Sequence, residues 1–137
     1  MKFVVVDVET ANPKMSSICQ IGLVIFENGV EVGAESHLID PEDYFDPINV
    51  AIHGITAETV VGAPTIRDLH GRLCELTSGN VVACHTHFDR IALARVCELH
   101  SLDTLPCNWL DTARVARSSQ TSHNEMASAV ILRRDSM

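Results

Sequence analysis

Asp7-Val8-Glu9 places two carboxylates two residues apart at the end of a β-branched run. On a strand, side chains at that spacing share a face, with Cα atoms roughly 6.5–7 Å apart. Two carboxylates that close repel each other, and burying them uncompensated is costly. A shared hard cation, Mg²⁺ or Mn²⁺, removes the conflict because such ions take oxygen ligands. Two acids on an exposed strand end are the alternative. A second group, Cys84-His85-Thr86-His87-Phe88-Asp89, follows a short apolar run and enters a helical pattern. Open α/β sheets place ligands at such strand-to-helix points, and the first turn of a helix suits the charge of Asp89. An ordinary first-turn acid is the alternative there. Cys84, His85 and His87 suggest zinc, but no fourth ligand stands at a suitable spacing.

The elements that must position these groups follow from periodicity. Residues 2–8 read as a buried strand, and residues 18–27 and 30–39 as two more. Asn28-Gly29 between the last two is a tight-hairpin signal, so the chain opens with an antiparallel meander. Residues 40–55, rich in Asp and Pro, read as a loop, and Thr56 as the start of a short helix with Glu58 in its first turn. Thr65 is a fitting N-cap for a helix to about Thr77 that carries Ile66, Leu69, Leu73 and Leu76 on one face. Ser78-Gly79-Asn80 ends it. Val81 to Cys84 form a short buried strand, and a helix runs from about His87 to His100. Leu105 to Leu110 are weakly extended, and Asp111 opens a helical stretch through Arg117. The predicted class is α/β: a mixed sheet, with a three-strand antiparallel meander plus parallel strands, flanked by helices.

The chain has 137 residues, 46% of them hydrophobic, which suits one folded domain. No apolar run reaches the ~18–20 residues that span a bilayer. Asp7 interrupts the first apolar run too early for a signal peptide, so no membrane partner and a cytoplasmic location are expected. Five widely spaced cysteines, with no Cys-x-x-Cys pair, read as reduced core residues. A net charge of −8 argues against a nucleic-acid partner unless some of the acids bind cations. With one Trp, one Tyr and four Phe, any grip on a single strand must be short and local. Neither a Gly-x-Gly-x-x-Gly turn after the first strand nor a phosphate-binding Walker loop is present, which excludes dinucleotide-binding and P-loop readings.

Five segments in order carry a family resemblance. Val6-Asp7-Val8-Glu9-Thr10 resembles the first motif of DnaQ-like, DEDD-type exonucleases, the family of the proofreading epsilon subunit of bacterial DNA polymerase III. Ser17 to Gly22 is similar to the second-strand segment, Ile52 to Thr56 to a loop-to-helix segment, His85 to Asp89 to the second motif, and Leu110 to Arg114 to the opening of the next helix. The resemblance implies an RNase H-like fold and two-metal hydrolysis of phosphodiester bonds at the 3′ end of single-stranded DNA or RNA. It also raises a DNA polymerase subunit as a partner. On that resemblance Asp7, Glu9 and Asp89 are the catalytic acids and hold two Mg²⁺ or Mn²⁺ ions, roughly 3.5–4 Å apart. Thr10 and His85 bind substrate, and Phe88 packs beneath it.

The family's third motif sets a histidine five residues before an aspartate near the C-terminus. His53/Glu58 and His70/Glu75 have that spacing but precede the second motif. His123 and Asp135 stand in the right part of the chain but twelve residues apart, which on one helix leaves them about 120° out of phase. The expectation is an exonuclease-like domain over residues 1–117, incomplete at its C-terminal side, and a divergent tail over 118–137. Impaired catalysis, or a fragment that only binds metal, nucleic acid or a polymerase partner, follows from it.

Overall fold

The computed structural model describes residues 1–84 and 86–111. Its central strand is β1 (Lys2–Thr10), rich in the valines that favour extended backbone. Beside it β2 (Ile18–Glu27) runs antiparallel, and β3 (Val30–Leu38) runs antiparallel to β2. Asn28 and Gly29 connect the two with φ of 52° and 80°, the paired positive angles of a tight hairpin. On the other side of β1, β4 (Val81–Cys84) and β5 (Asn108–Asp111) add in parallel, so the order is β3-β2-β1-β4-β5.

Among the described residues three helices accompany the sheet: α1 (Pro47–His53), α2 (Ile66–Thr77) and α3 (His87–Leu99). A parallel pair needs a crossover, and α3 supplies it between β4 and β5. Val4, Val6 and Val8 of β1, with Ile21 and Leu23 of β2, form the main core with Leu69 and Leu73 of α2 and Leu93 and Val96 of α3. Alternation sends Phe3 and Val5 to the opposite face, where they join Val24 and Ala83, and Phe3 stacks on Phe26 at 5.0 Å. Asp7 and Glu9 continue that second row. β4 pairs with β1 only over Phe3 to Val5, so the row turns from apolar to acidic where the neighbouring strand runs out.

The mixed sheet, the meander, α2, β4 and α3 stand where the sequence predicts them. Thr65 caps α2 in a reciprocal box: its hydroxyl accepts from the Asp68 N–H, and the Asp68 carboxylate accepts from the Thr65 N–H at 2.9 Å. Three expectations fail. The predicted loop over 40–55 contains α1, which Asp46 caps by accepting from the Ile48 N–H at 2.9 Å and Gly54 closes at φ 75°. The predicted helix at Thr56 is instead a succession of turns, with bonds from Thr59 to Thr56, Val61 to Glu58 and Ala63 to Val60. Asp111, expected to open a helical stretch, is instead the last residue of β5, paired with Cys84; the rest of that stretch, to Arg117, lies outside the described residues. Among those residues no helix is long and apolar enough to cross a membrane.

Candidate active site

Asp7 and Glu9 line a cleft of about 270 Å³ at the C-terminal end of β1. Strand register shapes its floor. Gly22 lies opposite Asp7 and Ser36 opposite Gly22, while Gln20 lies opposite Glu9. A glycine beside the first acid leaves the row without a side chain where a ligand would rest. Between Glu9 and Thr10 the register slips by one, and the extra residue is Cys19. Such bulges re-aim a strand end next to functional sites. Here the bulge turns Cys19 into a small apolar cluster with Ala11, Ile55 and Val60. Burial pushes the Cys19 thiol up to about 12, and the charge of Glu9 adds to the rise.

The wall of the cleft is the end of α1, through Ile52 and His53. The His53 ring is fully engaged. Its Nδ1 accepts from the Ile55 N–H at 3.0 Å, so Nε2 carries the proton and donates to the Thr10 carbonyl at 2.8 Å. The Asn49 amide donates to the same carbonyl at 3.1 Å. These bonds tie α1 to the end of β1 and occupy both ring nitrogens, which makes His53 a positioning residue. Thr10 itself is 7% exposed, held from above by the helix.

Asp89 arrives from the first turn of α3 and is 1% exposed. Its Oδ1 accepts from the Val8 N–H at 3.0 Å. That N–H belongs to the residue between Asp7 and Glu9, on a stretch of β1 that has outrun β4. The carboxylate therefore supplies the acceptor that a neighbouring strand would have offered, and the helix N-terminus suits its charge. The structure thus brings the three acids to one end of β1, with Asp7 and Glu9 on the sheet face and Asp89 at the strand edge. Among the described residues no three His, Cys, Asp or Glu side chains converge closely enough to hold a metal ion as they stand.

Of the remaining expected site residues, Phe88 is 38% exposed in the first turn of α3. His85, like His123 and Asp135, lies outside the described residues. Sequence reading assigned no role to Gln20, Gly22, Ser36, Asn49, Ile52 or His53. The signal for Gln20 and Gly22 was the Ser17 to Gly22 segment paired with β1 across the acids, and for Ile52 and His53 it was the Ile52 to Thr56 segment; Asn49 carried none.

The family model described as exonuclease matches residues 4–133. The chain belongs to this exonuclease family. The matched span includes both acidic segments and continues past Arg117, the expected domain boundary, which itself lies outside the described residues. Among solved structures, Exonuclease X, in complex with 5′-overhanging duplex DNA, is 26% identical at a TM-score of 0.66. That match covers 84% of this chain and 62% of the other. E. coli Exonuclease I, in complex with a dT13 oligonucleotide, gives 16% identity and a TM-score of 0.74 over 85% of this chain and 29% of the other. The likeness to Exonuclease I is one of fold. The chain spans less than two-thirds of the length of either exonuclease. No curated protein sequence matches it. Fold and family together identify an RNase H-like exonuclease domain.

Proposed function

We propose that the chain hydrolyses phosphodiester bonds at nucleic-acid 3′ ends, with Asp7, Glu9 and Asp89 as the acids that hold two divalent ions, Mg²⁺ or Mn²⁺. The observation that carries this reading is the Asp7–Glu9 pair on one polar cleft whose floor Gly22 clears. An all-carboxylate donor set suits hard cations and no others of comparable abundance. When bound, such ions offset the repulsion of the acids and supply positive charge to the attacking and leaving oxygens. The residues of this chain contribute position. Asp89 fixes the backbone between the other two acids, Asn49 and His53 fix the strand end and the cleft wall, and Ile52, 75% exposed, presents an apolar edge to an incoming terminal nucleotide. Thr10, His85 and Phe88 are the substrate contacts proposed with them. DNA with a recessed or single-stranded 3′ end is the favoured substrate, since the two similar exonucleases were solved on 5′-overhanging duplex DNA and on an oligonucleotide.

The test is a single-stranded oligonucleotide labelled at its 5′ end, incubated with Mn²⁺ and the full chain beside Asp7→Ala. Progressive shortening that the substitution abolishes supports the reading; shortening that survives it, or internal cuts, refutes it. A second reading has its own observation, the lack of a three-ligand group among the described residues. On that reading the chain binds metal, nucleic acid or a polymerase subunit without cleaving. Saturable Mn²⁺ binding with no shortening selects it.

A further inference from the structure

A second recessed surface lies apart from the cleft. On the helix side of the sheet, a depression of about 310 Å³ lies between α3 and β5. Leu105 and Trp109 give it an apolar wall, and Arg90 and Ala94 close it on the helix side. A volume near 300 Å³ is at the lower end of small-ligand sites, the scale of one nucleotide. Arg90 and Ala94 also border a second depression of about 480 Å³, which continues along α3 past His87 and Arg95. The two share those residues and make one track.

Helical spacing explains the track. His87, Arg90, Ala94, Arg95 and Glu98 recur on one face of α3, opposite the buried Ala92, Leu93 and Val96. From His87 to Glu98 the helix rises roughly 16 Å. Charge along it runs against the balance of the chain, which is −8. Arg67 is paired with Glu42 at 2.7 Å and Arg72 with Glu35 at 2.6 Å. Arg95 touches Glu98, the one acid on this face, only at 3.9 Å. Among the described residues Arg90 makes no ion pair. A guanidinium with no ion pair among the described residues, beside a half-buried indole, is the combination that holds a backbone phosphate and stacks its base.

We propose that the α3–β5 track is a second subsite for single-stranded nucleic acid, with Arg90 and Arg95 on phosphates and a base against Trp109. It rests on the reading of the chain as a nuclease, and it starts at His87, two residues from Asp89. Nucleotides upstream of the 3′ end would lie here, outside the cleft.

Trp109 is the single tryptophan of the chain, so its emission reports the track alone. The full chain, kept in EDTA so that nothing is cut, is titrated with a long oligothymidylate and separately with a dinucleotide. The long strand is expected to quench Trp109 and the dinucleotide to leave it unchanged. Arg90→Glu with Arg95→Glu weakens long-strand binding about tenfold, uniformly across sequences. It also reduces the salt slope by about 1.4, at about 0.7 for each lost single-strand phosphate contact. Circular dichroism melts of this double variant check that it folds. Trp109→Phe, read by anisotropy of a labelled strand, keeps most of the affinity because a ring still stacks.

Unchanged affinity in the folded double variant overturns the inference. So does quenching by polyglutamate in place of the oligonucleotide, which would make the track a protein-docking surface. Shortening of substrate in Mn²⁺ without Trp109 quenching in EDTA sinks the subsite and leaves the nuclease reading intact; quenching in EDTA without shortening in Mn²⁺ does the reverse.

Discussion

At the scale of single residues, Asp7 and Glu9 define what the cleft can attract. If they bind a divalent ion, the ion stabilises the fold by mass action, about 2.7 kcal/mol at a hundredfold excess over its dissociation constant. Thermal melts with and without Mn²⁺ should show that gain in the parent and lose it in Asp7→Ala. An equal gain in both would place the ion elsewhere. Cys19 offers a prediction about pH. Burial, with the charge of Glu9, pushes its folded thiol up to about 12, against 9.0 for an ordinary one. The stability this provides is complete below pH 9 and is lost as pH rises toward 12, because the unfolded chain releases the proton first. Over that window the thiol costs about 1.4 kcal/mol per pH unit. Denaturant melts of the parent and Cys19→Ala should therefore converge as pH rises from 9, and a constant gap would refute it. Asp7 and Glu9 were legible as a pair from spacing alone. The engagement of Cys19 with Glu9 was not, because it depends on a bulge that no residue type announces.

At the scale of elements, α1 is the cleft wall, yet it buries no residue of its own. Its attachments are the Asp46 cap and the bonds from Asn49 and His53 to Thr10. Asn49→Ala removes one neutral hydrogen bond, a loss of about 1 kcal/mol, while freeing the wall. Steady-state cleavage is expected to show a KM that rises several-fold beside a small fall in melting temperature; an unchanged KM would mean the wall does not touch substrate. α1 was read as a loop on its Asp and Pro content, although Asp46-Pro47 and Gly54 are also helix start and stop signals; with Ile48 and Ile52 both exposed, it has no buried stripe to settle the matter. α2 was legible for the opposite reason, with Ile66, Leu69 and Leu73 buried at helical spacing. Between β2 and β3 the Asn28-Gly29 turn alone would set Glu35 opposite Gly22. The bulge between Ile25 and Phe26 shifts the register by one and puts Ser36 there instead.

At the scale of the whole molecule, one face of the sheet carries the main core and the other carries the acids. Leu73, 1% exposed in that core, ties α2 to the strands. Leu73→Ala should cost about 2–5 kcal/mol, measured by denaturant melts; a loss under 1 kcal/mol would mean α2 is loosely docked. The succession of strands along the chain, with α2 and α3 among them, was readable from periodicity, because β1, β2, α2 and α3 each bury a face. What the third acid does was not readable, since Asp89 meets Val8 across a separation of 81 residues. That contact makes one backbone amide a natural gauge. The Val8 proton lies between two acids in sequence and is bonded to the third, so any ion drawing on these carboxylates must disturb its magnetic environment. Its resonance, followed during a titration with diamagnetic Mg²⁺, would report occupancy of the centre with no substrate present, and its exchange with deuterium would report how firmly the strand edge is closed.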